Sequence, residues 1–317
     1  MSAPALTLFT TMKPFGGEIA RIQRNSIMSW LTLKPRPEII VFGNDPGVTE
    51  ACREFGLRHV PEVETAPSGA PYLDDLFARA QWLATAHVLC YVNADIMLTS
   101  DLLGALDTVS RRLGPAVMAC TPHDLVIAHD LVISDPCWER SVRADAARNG
   151  VTRYATGADL FMFPRGFYSS LPRLIVGRYY WDNILLWRAC FGGLPAVDLT
   201  EAVLIVHQRH YQTTHLTPPG YGRGQSVSNP EVARNFARAP WWQRHFWRLD
   251  LPLALQSDGS ISRRGKIARV AVLLAVTVRQ CSAIKIHVLR RTFHLRRSLR
   301  LYRWWRQKDN SKLVHGQ

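Results

Sequence analysis

Apolar positions in the first 120 residues fall into short blocks that are in turn continuous and helically spaced. Residues 5–11 are a short apolar and Thr-rich run and 38–42 a nearly unbroken apolar one, the second having the pattern of a buried strand. Between them Ile19, Ile22, Ile27 and Trp30 recur at helical spacing over residues 18–30. The alternation continues with a helix over 48–55, a strand over 57–60, a helix over 72–85 and a strand over 88–92. A helix capped by Ser100 or Asp101 and running to Leu113 follows, then a strand over 116–120. Units of this length predict an α/β protein with a mostly parallel, doubly wound sheet and helices on both faces.

Past residue 120 the pattern loosens. Residues 121–150 carry His123, Asp124, His129, Asp130 and Asp135 at no recognisable ligand spacing, so they read as solvated loop groups and predict no metal there; a helix follows over 138–149. A polar entry, Thr156-Gly157-Ala158-Asp159, leads into an apolar strand that Pro164 stops. Gly177 precedes Arg178-Tyr179-Tyr180-Trp181-Asp182-Asn183, which opens a helix over 184–190. The last strands expected are 197–200 and 202–206; the second delivers His207-Gln208-Arg209-His210, with His215 soon after.

Charge divides the chain sharply. Residues 261–317 hold 15 Lys and Arg against one acidic residue, Asp309, while the first 260 are balanced, so the whole excess of +14 sits in the tail. The high net charge is therefore no sign that the main domain binds polyanions, and nucleic acid is not an expected partner. The tail mixes arginines with Ile, Val, Leu, Phe and Trp, as a helix lying on an anionic membrane surface does. Three segments are expected: a main domain over 1–215, a linker and aromatic packing segment over 216–260, and a basic amphipathic tail over 261–317. The six cysteines form no Cys-x-x-Cys pair, which suits a reducing compartment. No secretory signal and no apolar run of about 18 residues is seen, which predicts a cytoplasmic protein, peripheral on the inner face of the membrane.

The candidate chemistry lies at strand ends. The apolar run 88–92 stops at Asn93-Ala94-Asp95, and the run 38–42 leads to Asp45. In open α/β sheets ligands settle outside the carboxyl ends of the strands, where a carboxylate can hold a hard cation. The alternative is that Asn93 and Asp95 end the strand and cap the next helix. Asp182 is likewise either an N-cap or a catalytic carboxylate.

Several short motifs in order, Phe9-Thr10-Thr11-Met12-Lys13-Pro14-Phe15, Arg24-Asn25-Ser26-Ile27-Met28-Ser29-Trp30, Tyr91-Val92-Asn93-Ala94-Asp95-Ile96, Gly157-Ala158-Asp159-Leu160-Phe161, Trp181-Asp182-Asn183 and Val206-His207-Gln208, resemble nucleotide-sugar glycosyltransferases of the GT-A fold. The nearest likeness is to the KOBITO-type glycosyltransferase-like group, over about residues 5–215. The resemblance implies transfer of a sugar, hexosyl-like and inverting, from a nucleotide-diphosphate donor to a hydroxyl on a glycan or lipid-linked acceptor of the cell envelope. It places Thr10, Thr11, Asp45, Asn93 and Asp95 at the donor, Asp95 and His207 on Mn²⁺ or Mg²⁺, and Asp182 as the base. It also places Asp159 and Trp181 against acceptor or sugar. Asn93-Ala94-Asp95 falls where such enzymes carry an Asp-x-Asp metal motif, with Asn93 where the first Asp is expected, and a neutral amide is a weaker cation ligand than a carboxylate. A non-catalytic nucleotide-sugar-binding or membrane scaffold protein is the alternative.

Overall fold

The computed structural model describes residues 5–152, 157–210, 229–244 and 246–264, all within a first compact unit, Met1–Arg264. The tail from 265 and His215 lie outside the described residues.

The first half follows the hydrophobic pattern closely: β1 (Thr7–Thr11), α1 (Gly17–Leu31), β2 (Glu38–Phe42), α2 (Val48–Phe55), β3 (Arg58–Val60), α3 (Leu73–Leu83) and β4 (Val88–Val92). Next come β5 (Ile96–Leu98), α4 (Asp101–Leu113), β6 (Val117–Cys120), β7 (His123–Leu125), α5 (Trp138–Asn149), β8 (Val151–Thr152) and β9 (Leu160–Pro164). The described part closes with α6 (Trp181–Phe191), β10 (Ala196–Asp198), β11 (Ile205–Gln208), α7 (Pro230–Arg238), a 3-10 turn over Arg248–Asp250, β12 (Leu253–Leu255) and β13 (Ile261–Arg263).

Nine strands form the central sheet in the order β13-β12-β10-β6-β9-β4-β1-β2-β3. It is mostly parallel; β9 runs antiparallel to both β4 and β6, and β13 to β12. Alternate strand residues enter two separate cores. Leu8, Val41, Cys90 and Met118 pack with α1, α2 and α4 on one face, and Phe9, Ile40, Tyr91 and Phe161 pack with α3 and α6 on the other. The sheet is thus covered by helices on both sides, which is why its inner strands are apolar throughout. Aromatic rings lock the second face: Phe77 stacks on Tyr91 and Phe163 with centroids 5.6 Å apart, and Phe9 meets it edge-on at 5.1 Å.

A smaller sheet, β5-β11-β7-β8, branches from the carboxyl end of β4. Its strands of two to four residues, and β12 and β13, are too short for hydrophobic periodicity to mark, and none but β11 was expected.

Candidate functional site

The chain runs outward from β1 through β2 to β3, then returns to place β4 on the other side of β1. That reversal is a topological switch point, where a crevice opens beyond the strand ends. Because β1, β2 and β4 are parallel, Thr11, the 43–47 loop and Asn93–Asp95 share one edge. Antiparallel β9 starts at the same edge, so Asp159 lies beside Asn93, whose amide donates to the Asp159 carbonyl at 3.1 Å.

Asp95 sits at the junction of the two sheets. β5 leaves directly after it and pairs with β11, which in turn pairs with β7, so that His207 stands opposite both Ile96 and Asp124. His207 therefore lies within a strand of the second sheet and does not follow a strand of the parallel one, as the sequence had suggested. The backbone of Gln208 donates to the Asp95 carbonyl at 3.1 Å and closes the junction. Helix α1 holds this arrangement from behind with a row of buried polar side chains. Asn25 donates to Gln208 Oε1 at 3.0 Å and accepts from the Leu131 amide at 2.7 Å; Gln208 donates to the Ile22 carbonyl and to Ser26 Oγ at 2.8 and 3.0 Å. Ser29 accepts from the Leu98 amide at 3.0 Å, and the Trp30 indole donates to the Ile96 carbonyl at 2.8 Å. The run Arg24–Trp30 is thus scaffold for the site. Gln23 performs the same office for the first loop, accepting from the Lys13 amide at 2.7 Å and donating to its carbonyl at 2.8 Å.

Three side chains converge at the junction. Asp95 Oδ2 lies 3.4 Å from His207 Nε2 and 3.3 Å from His210 Nε2, and one ligand atom from each residue can be chosen so that all fall within 4.8 Å of one another. The His207 and His210 side chains are 7% and 1% exposed. His207 Nδ1 donates to Asp124 Oδ1 at 2.8 Å, which fixes the ring and leaves Nε2 facing Asp95. Among the described residues, the buried atoms Asp95 Oδ1 and His210 Nδ1 have no hydrogen-bond partner. Two imidazoles and a carboxylate with orphaned buried atoms fit a divalent cation. Burial alone would raise the Asp95 carboxyl, but hydrogen bonds with His207 and His210 and the pull of His207 and Lys13 hold it well below the usual carboxylate range.

Asn93 turns the other way. Its Nδ2 donates to Asp159 Oδ1 at 2.8 Å and its Oδ1 accepts from the Tyr91 hydroxyl at 2.9 Å. Beyond Asp159 lies Asp182, in the first turn of α6, which begins three residues earlier than its apolar spacing suggested. Burial, then the nearby Asp159 charge, pushes the Asp182 carboxyl up to about 7, against the amides of Asn183, Asp182 and Ala158. Gly157 lets this carboxylate approach: a Cβ there would stand 3.3 Å from Asp182 Oδ2. Tyr180, just before α6, has φ of 79°, the left-handed region that bulky residues avoid, and it is the one such non-glycine among the described residues. Helix α7 restrains the strained segment: Asn235 bonds the Tyr179 carbonyl at 3.1 Å, and Glu231 pairs with buried Arg178 at 2.7 Å.

The remaining expected residues divide. Thr11 ends β1 half-buried at the edge, and Asp45 lies half-buried in the loop after β2. Thr10 is buried, its hydroxyl on the Thr11 carbonyl at 3.3 Å. Trp181 is 7% exposed, packed edge-on against Tyr91 and Phe161, so its indole anchors the start of α6 and is not an open platform for a sugar. Two residues were missed. His210 was visible only as part of a histidine-rich run. Asp124, placed among solvated loop groups, belongs to β7 and orients His207; only the strand pairing reveals that.

No family model matches the sequence, and no curated protein does either. Solved structures similar to the chain include a mannosyltransferase from Pyrobaculum calidifontis in complex with GDP-Man and Mn²⁺, at 16% identity and a TM-score of 0.44, over 74% of this chain and 64% of that one. The mannosyl-3-phosphoglycerate synthase of Rubrobacter xylanophilus is similar at 17% identity and 0.46, over 74% and 73%. Residues 1–349 of S. aureus TarS in complex with UDP-GlcNAc match at 11% identity and 0.45, over 78% and 70%. The chain thus spans less than two thirds of the Pyrobaculum enzyme's length.

Proposed function

We propose that the chain is a nucleotide-sugar glycosyltransferase, inverting and hexosyl-transferring. The observation that supports this best is the pairing, at one sheet edge, of a cation-type cluster at Asp95 with a carboxylate, Asp182, whose affinity for protons is matched to neutral pH. Asp95, His207 and His210 would hold Mn²⁺ or Mg²⁺. When bound, that ion supplies Lewis-acid neutralisation of charge on a departing nucleoside diphosphate. Thr11 and Asp45 line the crevice beside β1 for the donor. Asp182 takes the proton of the acceptor hydroxyl, and Asp159, steered by Asn93, fixes the electrostatic setting in which it does so.

The narrower KOBITO-type likeness rests on the sequence motifs alone. A lipid-linked or envelope-bound acceptor, the cytoplasmic location and the membrane-lying tail belong to this proposal too; the tail's role is supported by its mixture of basic and apolar residues. The alternative, a nucleotide-sugar-binding protein without transfer, is favoured by Asn93, which leaves the Asp-x-Asp pattern incomplete. A donor panel with and without Mn²⁺, followed by the anomeric configuration of the product, separates the two. Inverted product supports the proposal, and donor binding without any hydrolysis or transfer supports the alternative.

A further inference from the structure

The chain beyond α7 lies outside the Asp95 site and, with one side of α6, makes an exposed aromatic face. We propose that this face, Phe191, Phe236, Trp241 and Trp242 with Arg188, Arg238 and Arg244, docks on an anionic lipid surface. The inference rests on the transferase reading only for what attachment serves, not for attachment itself.

Tyr180, just before α6, and Asn183, Trp187 and Phe191 within it recur every three or four residues and so share one side of the helix. The chain after α7 returns to that side twice. Phe236 meets Tyr180 with ring centroids 6.0 Å apart; the Phe246 carbonyl accepts from Asn183 at 2.7 Å, and its ring meets Phe191 edge-on at 5.4 Å. The face thus runs the length of α6, about 16 Å for eleven residues, and starts two residues from Asp182. Between Phe236 and Phe246 in sequence, Trp241 and Trp242 are 68% and 53% exposed, and Phe191 and Phe236 are exposed as well. Single exposed rings are ordinary, but several on one face mark a surface that meets a partner.

Charge names the partner. Within 183–191 and 236–244 every Asp, Glu, Lys or Arg is an arginine: Arg188, Arg238 and Arg244. Elsewhere Arg24, Arg79 and Arg143 pair with Glu54, Asp75 and Asp101, but among the described residues these three meet no carboxylate. Arg188 lies over the Trp187 ring, and Arg238 and Arg244 donate to backbone carbonyls. Rings flanked by such arginines suit an anionic headgroup boundary, where the rings leave water and the cations meet phosphate. A second copy, or the basic tail, would bring like charge to this face. A glycan needs hydrogen-bonding groups along its length, and Gln243 is the one amide or hydroxyl side chain between 236 and 244. The origin of the tail agrees with a lipid surface: Arg264 donates to the carbonyl of Arg248, the residue after Trp247, at 3.2 Å. Stable attachment takes two signals, and the face supplies the second beside the basic tail.

The test is co-sedimentation of the full chain with vesicles of mixed phosphatidylglycerol and phosphatidylcholine, and of phosphatidylcholine alone, with backbone amide exchange over 236–247 measured on each. The wild type is expected to bind the anionic vesicles and to exchange more slowly over 236–247 when bound. Trp241→Ser/Trp242→Ser is expected to weaken that binding at least about tenfold, while Trp82→Ser, which removes an exposed ring from α3, changes it less than about twofold. No vesicle binding by the wild type, equal binding to neutral vesicles, a neutral double variant, or an equal loss in Trp82→Ser overturns the proposal. So does protection of 236–247 by soluble dextran or polygalacturonate and not by vesicles, which would make the face a glycan site. Should the double variant not fold, amide exchange in the wild type decides alone. Donor turnover in solution is expected to be unchanged in the double variant. Vesicle binding lost in that variant, by a chain that turns over no nucleotide sugar, would defeat the transferase reading and leave this one standing; turnover by a chain that ignores vesicles would do the reverse.

Discussion

Asp182 is the residue whose chemistry and stability pull against each other. Its carboxyl titrates at about 7 in the folded chain, against about 3.9 for an unperturbed aspartate. Between those values the folded state binds more protons than the unfolded state, so this group makes stability fall as pH rises from about 4 to about 7; above that the loss is complete, of order 4 kcal/mol at most. As a base the group must be ionised, so transfer is expected to rise about tenfold per pH unit below 7 and level off above it, measured as initial rate against pH. Asp182→Asn keeps the shape and removes the charge. It is expected to abolish transfer while raising the melting temperature at pH 8 and leaving it nearly unchanged at pH 4.5; a lower melting temperature at pH 8 would show that the carboxylate is stabilised in its ionised form. The Trp-Asp-Asn run made Asp182 legible as a candidate. Its burial was not, because the groups that crowd it, Asp159 and Gly157, come from another segment. For the same reason the packing of Trp181, expected against acceptor or sugar, on Tyr91 was not legible.

At the scale of elements, α1 and α7 are brackets for the site. Asn25 ties α1 to both β11 and the 129–131 loop through buried bonds, so Asn25→Ala takes from the Leu131 amide and from Gln208 Oε1 the partners that Asn25 supplies. A loss of roughly 2–4 kcal/mol in urea unfolding is expected, with weaker Mn²⁺ binding because His207 loses its support. Glu231 on α7 holds Ser68 and buried Arg178 together. Glu231→Ala strands that guanidinium and is expected to cost about 3–5 kcal/mol, whereas replacing the pair by apolar residues costs far less, which a double-mutant cycle would measure. Helices and the central-sheet strands up to Cys120 were legible because all but β3 are long enough for their period to show. The second sheet was not: His123–Leu125 and Ile96–Leu98 are three residues each, and their pairing with β11 is a tertiary fact. The Arg24–Trp30 run was noticed for its likeness to a family, yet its spacing carries no hint that Asn25, Ser26, Ser29 and Trp30 serve as hydrogen-bonding scaffold.

For the whole molecule, the order of strands decides where chemistry can occur, since it brings the ends of β1, β4 and β9 to one edge. The same sheet sets where the chain can be cut. Buried Asp198 accepts from Arg248 and Arg264, and β13 pairs with β12. A chain ending at Gln256 loses β13 and Arg264 and is expected to unfold at lower urea, whereas one ending at Arg264 keeps both and is expected to retain the wild-type midpoint. If the basic tail lies on membranes, the full chain, and neither truncated one, should sediment with anionic vesicles, in a salt-sensitive manner and in preference to duplex DNA. Donor turnover at the Asp95 edge is the expectation on which the others depend. The measurement that bears on it most directly is chromatographic detection of nucleoside diphosphate released from a panel of nucleotide sugars by the full chain with Mn²⁺, beside Asp95→Ala of verified fold. Release from one donor class that disappears in Asp95→Ala is the expected result; no release from any donor, or equal release by the variant, would contradict it.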